Sequence, residues 1–179
     1  MKRRTLLSAS TLVLGAAVVA DPRTDVADAA AKRVGDALAP PEESKAEAAT
    51  RARINAERGE RDLPALSRAS RLTDAASAHS ADMATRGFYG HTNPDGEGPT
   101  ERAPCRAGEI IYRGDLGRTA TPDGREWDTS TAAGIAAYLV HGWSGSQGHA
   151  EIMLGQRWAQ FGVGVHIGDR EFFATALFC

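Results

Sequence analysis

The chain has 179 residues and 42% hydrophobic content, an ordinary globular composition with room for one domain plus an appendage. Its formal charge of −2 includes the basic start Lys2, Arg3 and Arg4. The remainder holds 18 basic against 23 acidic residues, which leaves no electrostatic footprint for nucleic acid as a partner.

The N-terminus reads as an export signal over residues 1–20. A charged "MKRR" precedes the apolar or small-residue run Thr5–Ala20, and "VVA" before Asp21 suits a small-residue cleavage site. The run is about 16 residues, short of the ~20 that a spanning helix needs, so no spanning helix is expected once the signal is removed. "KRRTLLS" also has the form of a twin-arginine signal, so export by that route and by the general secretory route are both open. Either places the protein outside the cell or in the cell envelope. Residues 21–42 form a linker: a weak helical stripe of mostly small residues stopped by Pro40-Pro41.

The folded domain is expected over residues 43–179. A first helix runs through about Arg58, with Ala48, Ala52 and Ile54–Asn55 on its inner side, and Gly59 ends it. Ser67 or Ser70 caps a second helix that stops at Gly87, with the apolar face Leu72, Ala75, Ala76, His79 and Met83. Gly90 to Gly108 is turn-rich. A third helix fits "TSTAAGIAAYLVHGW", capped within Thr129–Thr131 and facing inward with Ile135, Leu139, Val140 and Trp143. A short helical turn, "SQGHAEIML", follows it. The closing segment is a hairpin: Phe161, Val163, Val165 and Ile167 alternate on one face, Gly168-Asp169 turns, and "REFFATALFC" returns. Helices, then irregular chain, then a hairpin predict an α+β class. The two cysteines, Cys105 and Cys179, form an even pair in an exported chain, which favours a disulfide over two free thiols.

Four segments carry a resemblance: "INAERGERDLPALSRASRLTDAASAHSADMATRGFYGHTNPDG", "GEII", "GWSGSQGHAEIML" and "FGVGVHIGDREFFATALFC". In that order, over about residues 46–179, they resemble the CAP superfamily (SCP-like: cysteine-rich secretory, antigen 5 and pathogenesis-related proteins), in its compact prokaryotic extracellular branch. The resemblance implies a three-layer α-β-α sandwich with a central antiparallel sheet and a cleft gathering two histidines and acidic residues. His91, Glu109 and His149 match those positions. A second glutamate of eukaryotic members falls near Ser146, and Glu151 is the nearest substitute. Two asparagines of the family pattern are replaced by Ile110 and Ile152. Removing both partners of a buried polar pair is nearly neutral, whereas removing one costs about 1–3 kcal/mol, so the two isoleucines are expected together in the core.

Two imidazoles and a carboxylate are a plausible Zn²⁺ set, so His91, His149 and Glu109 are candidate metal ligands and zinc the candidate cofactor. Each has a bland reading too: His149 as a backbone-bonded helix-turn histidine, Glu109 as a loop anchor. His79 reads as a satisfied core histidine, His141 as solvated or capping, and His166 as lining the sheet exterior or packed under a helix. Ser144 and Ser146 lie near His149 but lack the Gly-x-Ser-x-Gly elbow, and Ser146 reads as a helix cap. The expected function is an exported binding or interaction module whose cleft, His91, Glu109, His149 and Ser146, takes a small apolar ligand, an envelope component or a peptide. The alternative is a metal-dependent hydrolase using His91, Glu109 and His149. A third possibility is a structural envelope protein with a vestigial cleft.

Overall fold

A computed structural model describes residues 42–179, so the predicted export signal and all but the last residue of the predicted linker lie outside the described residues. In chain order the elements are α1 (Glu43–Gly59), β1 (Ser67–Arg68), α2 (Ser70–Arg86), α3 (Pro99–Arg102), β2 (Gly108–Asp115), β3 (Arg118–Ala120), β4 (Glu126–Asp128), α4 (Ala132–Gly145), α5 (Gln147–Met153), β5 (Gln160–Ile167) and β6 (Glu171–Phe178). The main sheet has the order β1-β5-β6-β2, and β3 pairs with β4 as a separate ribbon. Its three long strands are antiparallel, as expected; the two-residue β1 adds a short parallel edge against β5. The α-β-α sandwich that the family resemblance implies is the observed architecture.

Strand alternation decides which helix each residue meets. On β6, Phe172, Ala174, Ala176 and Phe178 join the main core with Ile54 of α1 and Ile135, Leu139 and Trp143 of α4. On the opposite face, Leu177 packs against Leu72 and Ala76 of α2, and Phe173 against its Met83. Each fully buried large apolar side chain contributes about 1.5–3 kcal/mol, and all of these are sealed from water. The α2 layer sits unusually close to the sheet because β5 carries Gly162 and Gly164 beneath it. A Cβ at Gly164 would lie 2.0 Å from the backbone nitrogen of Ser77. Ser80 closes this interface, donating its hydroxyl to Gly164 O at 3.1 Å and to Thr175 Oγ1 at 3.0 Å.

Several local expectations are corrected. The buried stripe of α1 is Ala46, Thr50, Ile54 and Arg58, while Ala48 and Ala52 face solvent. Fully buried Arg58 explains the difference. Its guanidinium donates to Pro64 O at 3.0 Å, Met153 O at 2.9 Å and Gly155 O at 3.0 Å, and this stitching fixes the rotation of the helix. At the start of α2 the cap position is Ala69, with no side-chain cap, so neither Ser67 nor Ser70 serves. Its end is as expected: Gly87 adopts the left-handed conformation (φ 68°) that a side chain disfavours. Thr131 caps α4, accepting from Gly134 N at 3.0 Å. The final hairpin turns one residue later than expected, since Gly168 N already donates to Glu171 O at 2.9 Å and leaves Asp169-Arg170 as the loop.

Along the free side of β5, helix α1 supplies carboxylates. Glu47 Oε1 accepts from Val165 N at 3.3 Å and from the Ser77 hydroxyl at 2.8 Å, and Glu43 Oε1 accepts from Ile167 N at 2.9 Å. His166 meets the same Glu43 oxygen at 3.1 Å, half-buried beside α1. His141 approaches Asp123 Oδ2 at 3.2 Å while packing its ring on Trp127, 5.0 Å between centroids.

Candidate functional site

Gly87 ends α2 and turns the chain back, so residues 88–91 run beside the last turns of that helix. The imidazole of His79, buried in α2, donates from Nε2 to Gly90 O at 3.0 Å and so holds the segment that carries His91. Beyond His91, Asn93 organises the turn: its Oδ1 accepts from Asp95 N at 3.1 Å and Glu97 N at 2.9 Å. Arg86 clamps the same turn through an ion pair with Asp95. The one-turn helix α3 then delivers Arg102. The disulfide Cys105–Cys179 anchors the next loop to the end of β6, confirming the expected pairing.

Glu109 is the second residue of β2 and, by alternation, faces the α2 side of the sheet. Its carboxylate is 1% exposed and both oxygens are engaged. Oε1 accepts from His91 Nδ1 at 2.8 Å, and Oε2 accepts from Arg102 Nη2 at 2.7 Å. His79 Nε2 stands 4.0 Å from Oε1. The arginine does more than neutralise the acid: Nη2 also donates to His91 O at 2.9 Å and Nη1 to Glu97 O at 2.5 Å. A buried carboxylate with one histidine and one arginine on it is a compensated charge, tolerable in a dry interior because each oxygen has a donor.

His149 comes from α5. It is half-buried, and its Nδ1 has no hydrogen-bond partner. Burial lowers its pKa, and the charge of His91 lowers it further. Ser146 occupies the joint between α4 and α5, but its hydroxyl makes no cap bond, a correction to the expected cap. Glu151 accepts from Gln147 on its own helix at 2.9 Å. Ile110 is fully buried and Ile152 packs against the same core, as expected of a polar pair replaced by two apolar groups.

Zinc binds carboxylate oxygen at about 2.0–2.2 Å. At Glu109 that position lies against the guanidinium of Arg102. Among the described residues no three His, Cys, Asp or Glu groups stand together so as to share an ion. As folded, the trio does not fit a zinc ion. Two residues of the site were not legible in the sequence. Arg102 sits in "TERAPC", which reads as turn, and no local pattern ties it to an acid seven residues on. His79 has the sequence context of a satisfied core residue, yet only one of its nitrogens has a partner; Nδ1 is buried without one.

Residues 51–179 match the Cysteine-rich secretory protein family, known as CAP, and the chain belongs to that family. Solved structures that it resembles include an extracellular protein containing an SCP domain from Bacillus anthracis str. Ames, with 22% identity and a TM-score of 0.56 over 76% of this chain and 40% of that one. An outer surface protein from Borrelia burgdorferi is 17% identical with a TM-score of 0.57, over 72% of this chain and 86% of that one. A cysteine-rich secretory protein from Staphylococcus aureus subsp. aureus Mu50 is 13% identical with a TM-score of 0.51, over 76% and 39%. The chain thus spans about two fifths of the length of the first and third. These likenesses carry the fold. Among curated proteins none matches by sequence.

Proposed function

We propose that the protein is an exported CAP-domain binding module acting outside the cell or in the cell envelope, without a catalytic metal. Its cleft of His91, Glu109, His149 and Ser146 takes a small ligand, an envelope component or a peptide. The observation that carries this reading is the state of Glu109: an acid with both oxygens already bound is neither a free base nor an open metal ligand. The extracellular and outer-surface character of its structural relatives and a disulfide suited to an oxidising compartment support the location.

The test is cosedimentation of the purified full chain with isolated cell-envelope material, beside a His91→Ala/His149→Ala variant. Retention of the wild type and about tenfold weaker retention of the variant are expected. Stoichiometric zinc in protein purified without chelator, lost in the variant and accompanied by hydrolysis, would replace this reading with the metal-dependent hydrolase.

A further inference from the structure

We infer that Arg102 holds the cation position on Glu109 that a metal would otherwise take, and that the cleft therefore presents His91 Nε2 as an acceptor for a ligand that donates a hydrogen bond, such as a hydroxyl or amide N–H. This rests on reading the cleft as a ligand site. A buried carboxylate needs a positive partner, and a guanidinium and a metal ion compete for the same face of it. Here the guanidinium is built in. The Arg102 side chain is 10% exposed and donates to Glu109, His91 and Glu97 at once, so leaving means breaking all of those bonds. It also stays charged at any physiological pH.

The tautomer follows from the same contacts. An ionised carboxylate accepts only, so the proton in the 2.8 Å bond to Glu109 sits on His91 Nδ1. In the neutral ring the lone pair is then on Nε2, at the free edge of a side chain that is 51% exposed. Buried Glu109 orients the exposed imidazole as a carboxylate orients the outer nitrogen of a metal-bound histidine, but with no metal on the other side.

Two measurements on the full chain test this. Long-range ¹H–¹⁵N correlation spectra at about pH 8 should show His91 protonated on Nδ1 and unprotonated on Nε2. Titration with Zn²⁺ alone should show no saturable site in the wild type or in Arg102→Lys. Arg102→Gln should gain a saturable Zn²⁺ site that perturbs His91, because the cation position on Glu109 is then open. An Nε2-protonated His91, a saturable wild-type zinc site perturbing His91 and His149, or a folded Arg102→Gln with no gain in zinc affinity would each overturn the inference. If Arg102→Gln does not fold, the tautomer and the wild-type titration decide it. Neither measurement involves envelope material, so failure here is distinct from failure of cosedimentation.

Discussion

His79 uses one ring nitrogen to hold Gly90 and keeps the other sealed and unpartnered, which makes adding a proton costly. Burial lowers its pKa below 6.5, opposed in part by the nearby charge of Glu109. The sign for stability follows directly. Below about pH 6.5 the unfolded chain takes up a proton that the native state resists, so stability falls as pH drops through that value. Denaturant midpoints should therefore be lower at pH 5 than at pH 7.5, and His79→Gln, which still donates to Gly90, should show a smaller drop. An equal drop in both proteins would remove His79 as a cause. His91 and Glu109 were legible because each stands in a short segment with family character. Arg102 was not, because its meaning arises only when the turn of 91–98 brings it over β2.

The closest contact between layers lies between α2 and β5, where helix backbone rests on strand glycines. Alanine at position 164 would place a methyl 2.0 Å from Ser77 N, and backbone cannot swing aside as a side chain does. Gly164→Ala should cost about 3 kcal/mol, the upper part of the usual overpacking range. Gly59→Ala, whose added methyl meets nothing within 4 Å, should stay within about 0.5 kcal/mol. Chemical denaturation of both variants checks the contrast. The alternation of β5 was readable because period-2 patterning survives burial. The stripe of α1 was not: alanines fit either face of a helix, and a buried arginine, not an apolar residue, sets its rotation. The β3–β4 ribbon carries no such signal, since its strands are three residues each and the five residues between them, 121–125, include no apolar run.

Across the whole molecule, the Cys105–Cys179 bridge joins residues 74 apart in sequence. A loop of that size is worth about 4 kcal/mol in the chain-entropy account. It also pins the stretch between Arg102 and Glu109 to the end of the central strand. The Cys105→Ser/Cys179→Ser variant should lose about 4 kcal/mol by denaturant unfolding, and reductant should affect only the wild type. The carboxylates that α1 lays along β5 have a different consequence. A strand at the rim of a sheet ordinarily advertises its amide hydrogens to any passing chain, inviting stacks and fibres. Here Val165 and Ile167 have already given theirs to Glu47 and Glu43 of the same molecule. The chain thereby has less to offer a second copy of itself at this border, and two glutamates of α1 serve as its guard.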